Sequence, residues 1–99
     1  MISYGIHKTE RGLILGICDQ ELLNKAISCK DQAIFVDPKF YGGNTANLIE
    51  IKGLIQSAYI INILGSNAIN ESITQSIIED SWVKKICGIP HAELIRENA

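Results

Sequence analysis

Apolar and polar residues alternate from the start of the chain. In "ISYGIHK", Ile2, Tyr4 and Ile6 fall on one side and Ser3, Gly5 and His7 on the other, the two-residue period of a strand. "TERG" reads as a hairpin turn closing on Gly12, with "LILGIC" as the returning strand. The period then lengthens. In "QELLNKAI", Leu22, Leu23, Ala26 and Ile27 share a helical face, Asp19 stands at the N-cap, and Glu21 with Lys25 makes an i,i+4 pair. "AIFVD" predicts a third strand, ended by Pro38, and the glycines of "KFYGGNTAN" predict a tight turn.

Asn47 with Glu50 has the spacing of a capping box and opens a helix whose apolar side is Leu48, Ile51, Leu54, Ile55 and Ala58. Gly53 inside it costs about 1 kcal/mol relative to alanine, which points to close packing there. "YIINIL" is nearly continuous in apolar residues and predicts a central strand ended by Gly65. Ser66 or Asn67 then caps a third helix with Ile69, Ile73 and Ile77 as its stripe, and short strands in "VKKIC" and "AELI" finish the chain. About six strands and three helices in mixed order predict an α+β fold, a compact two-layer arrangement with helices packed on a mixed or antiparallel sheet.

Length and composition agree with one domain over residues 1–99 and an aliphatic core, with isoleucine about a fifth of the chain. A net charge of −2 and a pI near 5.6 argue against a general nucleic-acid coat, which needs many phosphate-binding cations. The start "MISYGIHK" lacks a basic leader followed by an apolar stretch, and the apolar run at "AYIINILG" falls short of the roughly 20 residues that span a bilayer. The expectation is a soluble cytoplasmic protein with no membrane partner. Cys18, Cys29 and Cys87 are odd in number and form no CxxC pair, so reduced thiols are expected.

Four candidate sites follow from residue chemistry. Cys87 and His91 in "CGIPHAEL" have the residue types of a nucleophile and base, against a plain reading in which Cys87 is a small buried hydrophobe and His91 an edge-strand polar residue. Cys18, Cys29, Cys87 and His91 are zinc-ligand types, but their spacing is long and irregular, and no metal or cofactor is assigned. The N–H groups of Gly42 and Gly43, beside Tyr41 and ahead of the helix at Asn47, have the makings of an anion nest, against a simple structural turn. Lys84 with Lys85, and Lys8 with Arg11, make a modest basic patch if they lie on neighbouring strands; otherwise they are solvated surface. Asp19, Asp37 and Glu50 read as caps or turn residues, so no acid–base carboxylate pair is assigned.

The hairpin start, "CDQELL", "FYGG", "NILG" and "GIPHAEL" occur in the order found in the uncharacterised archaeal family called domain of unknown function 424, which the chain resembles over nearly its whole length. The family pattern ends "GIPHAQ"; here Glu93 takes the last place. The resemblance implies a compact α+β fold, carries no activity or cofactor, and points to Tyr41, Gly42, Gly43, Asn62, Gly65, Gly88, Pro90 and His91 as positions to test. It also implies a gene neighbourhood near translation genes. The resulting expectation is a noncatalytic archaeal binding module on the ribosome, its RNA or one of its proteins, with no DNA partner. The alternative is a ligand binder or enzyme with a pocket between "YGG" and "GIPH", using His91.

Overall fold

The structure, a computed structural model, describes residues 1–96. The first alternating segment forms strand β1 (Ile2–Thr9), which turns at Glu10 and Arg11 and returns as β2 (Gly12–Asp19). The pair runs antiparallel from Ile2 opposite Asp19 to Thr9 opposite Gly12, and the Thr9 hydroxyl closes the turn by donating to the Gly12 carbonyl at 2.8 Å. A small hairpin follows, β3 (Ala26–Cys29) paired with β4 (Gln32–Phe35). Next come helix α1 (Pro38–Tyr41), strand β5 (Asn44–Ala46), helix α2 (Lys52–Ser57), strand β6 (Ile60–Leu64) and helix α3 (Ser66–Thr74). Strands β7 (Lys84–Ile86) and β8 (Ile89–Ile95) close the fold as a hairpin.

The main sheet has the order β5–β1–β2–β6–β8–β7. Among the described residues only β2 and β6 pair in parallel, across a connection that contains α1 and α2; the other neighbours are antiparallel. The fold is α+β with a mixed sheet and three helices. Strand β6 is central, as its apolar run predicts: both of its edges are paired, and Ile61, Ile63 and Leu64 are fully buried.

Residues paired across strands share a face, so the register sorts the core. On one face Leu15, Ile17, Ile61 and Ile63, all fully buried, meet Ile51 and Ile55 from the α2 segment and Ala68 and Ile69 from α3. Fully burying one such aliphatic side chain contributes about 1.5–3 kcal/mol, so this face dominates stability. On the other face Cys18 and Leu64 join Val36, with Leu22, Ile27, Ile34 and Tyr41 packed around them. There α1 lies over β1 and β2, where Gly5 and Gly16 stand side by side. A Cβ on Gly16 would come 2.6 Å from the Phe40 ring, and one on Gly5 would strike the Phe40 carbonyl. The two glycines form the floor on which Phe40 rests.

Four local expectations fail, and in the first two a distant partner overrides a local preference. Residues 20–27 make no helix: Gln20–Leu22 is a single 3-10 turn, Asn24 adopts φ 67, and Ala26–Cys29 pairs with β4 instead. That pairing places Ile27 beside Ile34 in the second cluster, a gain that exceeds a weak helical propensity. Neither Ser66 nor Asn67 caps α3; the buried carboxylate of Asp19, from β2, accepts from Asn67 N at 3.1 Å and Ala68 N at 2.7 Å. Ile77 lies beyond the end of α3, although it still packs on the core. Nothing crowds Gly53.

Other expectations hold. Pro38 ends the preceding extended segment by taking the first position of α1, while the Asp37 carboxylate accepts from Lys39 N at 2.9 Å. Glu50 Oε1 accepts from Asn47 N at 2.8 Å, opening a 3-10 turn that leads into α2. No helix among the described residues is long and apolar enough to cross a membrane.

Candidate functional site

Three of the five sequence motifs meet at a structural knot. Asp19 of "CDQELL" satisfies the first N–H groups of α3, which an intrahelical bond cannot reach. Gly65 of "NILG" precedes that helix at φ 114, and a Cβ there would lie 2.5 Å from the Asp19 carboxyl carbon. Its N–H donates to the carbonyl of Pro90, from "GIPH", at 2.9 Å. Gly65 and Pro90 are thereby placed as framework.

The glycine turn is framework as well. Gly42 ends α1, its N–H donating to the Pro38 carbonyl at 3.0 Å, and a Cβ there would meet that same oxygen at 2.6 Å. Gly43, at φ 109, faces open space. Strand β5 separates both from Asn47, so their N–H groups and the start of the α2 segment do not converge as one anion nest. Tyr41 packs edge-on to Phe40 (centroids 4.8 Å apart), and its carbonyl accepts from the Ser3 hydroxyl at 2.8 Å. Phe40 in turn stacks on His7, whose Nε2 donates to the Phe40 carbonyl at 2.8 Å.

A polar strip does lie on this face of the sheet. It is confined to the β6–β8–β7 side: Asn62 of β6 pairs with Glu93, and in the next row His91 and Lys84 lie outward of the buried Cys18 and Leu64. Asn62 and His91 are half-buried; Lys84, Lys85 and Glu93 are exposed. Burial, with smaller effects from Cys18 and Glu93, pushes the Tyr41 phenol above its usual pKa.

At the outer edge, Trp82, Lys84, His91, Ala92 and Glu93 line a depression of about 300 Å³. It opens where β7 stops at Lys84 and leaves β8 without an outer neighbour beyond His91. Trp82, 39% exposed, stands at its rim. Residue reasoning overlooked Trp82, although a sole tryptophan two positions before a lysine pair is a legible signal. Lys8 and Arg11 do not extend this patch: they lie at the β1–β2 turn, with β6 and β8 between them and β7.

The cysteines depart from expectation. Cys29 and Cys87 form a disulfide, with Cα atoms 5.5 Å apart. Their 58-residue separation hides that the β3–β4 tip and the β7–β8 turn meet. The reduced-thiol expectation is corrected for this pair. A bonded Cys87 sulfur is no thiolate nucleophile for His91 to activate. Cys18 is fully buried elsewhere, its thiol pushed up to about 12 by burial and, second, by Asp19. Among the described residues no group of three or more His, Cys, Asp or Glu is placed to hold a metal ion.

Burial holds the His91 pKa below its usual value, and Glu93 partly offsets this. A lowered folded-state pKa means that the unfolded chain binds more protons in the window between the two values. Stability is therefore full above the unfolded pKa of about 6.5 and declines as pH falls toward the folded value. The urea midpoint should drop on going from about pH 7 to about pH 5, and drop less in His91→Gln. Equal drops in both proteins would assign the effect to other groups.

The solved structure entitled an uncharacterized conserved protein from Methanopyrus kandleri is similar, with a TM-score of 0.80 and 22% identity over 99% of this chain and 96% of that one. At that identity the likeness speaks for the fold. No curated protein matches the chain. The family model described as a protein of unknown function (DUF424) matches residues 6–96, almost the whole of the sheet and its covering elements, and the chain belongs to that family.

Proposed function

We propose that this chain is a noncatalytic, cytoplasmic binding module of the archaeal translation apparatus, and that it docks on structured ribosomal RNA through the β7–β8 edge. The observation that carries this reading is the placement of exposed Trp82 and exposed Lys84 around one shallow depression at the sheet edge. An exposed indole offers a face for an unstacked base, worth about 1–3 kcal/mol per base. Lys84 offers a phosphate contact at the depression and Lys85 adds positive charge along the same edge strand, while Glu93, also in the lining, repels phosphate and favours a backbone path on the lysine side. The acidic chain then binds by local shape rather than by net charge.

The test is sedimentation of native-host lysate through a sucrose gradient with and without magnesium. It is paired with RNA binding by Trp82→Ala and by the double variant Lys84→Glu, Lys85→Glu. The expected result is comigration with a ribosomal particle that is lost when particles dissociate, and binding weakened about tenfold or more by either change. Protein that stays at the top of the gradient under both conditions rules out stable attachment.

A second reading is supported by the half-buried Asn62 and His91 on neighbouring strands, with Glu93 between them: a small-ligand site between the glycine turn and "GIPH". His91→Ala separates the two: an acid–base role is lost with it, whereas RNA docking weakens far less than it does on Trp82→Ala or the double lysine change.

A further inference from the structure

The Cys29–Cys87 bridge lies outside both apolar clusters. Cys29 is exposed and Cys87 half-buried at the surface, whereas Cys18 is fully enclosed. The bridge ties the tip of the β3–β4 hairpin to the two-residue turn between Ile86 and Ile89. Both turn residues have positive φ, 51 at Cys87 and 80 at Gly88, which is the geometry that favours asparagine, aspartate or glycine. A cysteine at the first place runs against local preference, and such outliers direct attention to what the side chain does.

The hairpin is anchored at its base and, through Ile27 and Ile34, along its inner face. At the base Asn24 N donates to the Val36 carbonyl at 2.8 Å, Val36 N donates to the Lys25 carbonyl at 2.9 Å, and Val36 is fully buried. At the tip, beside the bridge, Cys87 N donates to Gln32 Oε1 at 3.1 Å. The outer face, with Ala26, Ser28, Ala33 and Phe35, is open to solvent.

We propose that Cys29 and Cys87 form a reversible thiol–disulfide exchange site, and that opening it frees the hairpin tip while the six-stranded sheet persists. The co-reactant is a thiol, carried either by a small molecule or by a protein. Its thiolate attacks the more accessible sulfur, that of Cys29, forming a mixed disulfide and expelling the Cys87 thiolate, which takes up a proton. A second thiol attacks the mixed disulfide at the sulfur of the first thiol and releases Cys29. The bridge gains two electrons and two protons, and two co-reactant thiols become one disulfide. Reoxidation reverses these steps with a disulfide as oxidant.

The full chain, purified with the bridge formed, is treated with reduced glutathione without denaturant, alkylated and mapped by mass spectrometry; hydrogen exchange is followed in parallel. The expected result is glutathione on Cys29 rather than Cys87 in the trapped intermediate, alkylation of both after reduction, and none at Cys18. Amides at the hairpin tip, Ser28–Ala33, then exchange at least about tenfold faster, while the β6 amides remain protected. The double variant Cys29→Ser, Cys87→Ser should show the same fast hairpin tip and be insensitive to glutathione. A bridge that resists glutathione in the folded protein overturns the proposal. So does tip protection unchanged after full reduction, or loss of β6 protection together with that of the hairpin tip. Repeating the reduction with a protein dithiol distinguishes the sources: equal rates indicate a small-molecule thiol, and a much faster protein reaction indicates a protein one.

Discussion

Gly65→Ala should lower the unfolding free energy by about 3–5 kcal/mol, since it combines a backbone region nearly restricted to glycine with a steric collision. The backbone at Gly65 has φ 114 and ψ 151, and a Cβ there would stand 2.5 Å from the Asp19 carboxyl carbon and 2.6 Å from its Oδ2. The colliding group cannot move away freely. Asp19 is 4% exposed and holds the N–H groups of Asn67 and Ala68, so displacing it uncaps α3. Asp19→Ala should therefore cost about 2–4 kcal/mol through the lost cap, one unsatisfied buried donor at Ala68 and one part-buried donor at Asn67. Asp19→Asn keeps one acceptor oxygen and should fall between Asp19→Ala and the parent protein. Denaturant midpoints measure all three, and exchange at the Asn67 and Ala68 amides locates the damage. A neutral Gly65→Ala would mean that the glycine is not held for this contact.

Reduction of the Cys29–Cys87 bridge should produce the second large effect. The crosslink joins residues separated by 58 positions, and in the chain-entropy limit such a loop stabilises the folded state by about 4 kcal/mol. For a domain of this size that corresponds to a fall in Tm of roughly 15–30 °C. Domain stabilities of about 5–15 kcal/mol leave the sheet folded after that loss, as the exchange proposal requires. Scanning calorimetry with and without reductant measures the shift, with Cys29→Ser, Cys87→Ser as the control. The double variant should melt at the reduced protein's Tm and show no response to reductant. A reductant effect that persists in the variant would lie outside the bridge.

The two effects separate what the motifs do from what the chain does with its surface. Asp19, Gly65 and Pro90 are held together by capping, steric exclusion and one backbone hydrogen bond, which explains them without a ligand. Phe40 on Gly5 and Gly16 explains much of "FYGG" in the same way. What framework does not absorb is the strip through Asn62, Glu93 and His91, and the edge formed by Trp82, Lys84 and Lys85. The functional proposals therefore rest on these residues.

The sequence by itself determined the elements whose signals are local. The alternation through Ile2, Tyr4 and Ile6, the apolar run of β6, the Asn47–Glu50 start and the stop at Pro38 all appear in the structure where their periods and turn residues place them. Tertiary structure alone decided the rest. It moved Asp19 from a neighbouring cap to a helix 48 residues away, turned residues 26–29 from helix to strand, paired Cys29 with Cys87, and set Trp82 beside His91. The reason is physical: a period reports only on groups a few residues apart, where chain connectivity enforces the meeting. Distant groups meet because burying Leu15, Ile17, Ile61 and Ile63 together outweighs the entropy of closing long loops, and that sum belongs to no single stretch of sequence.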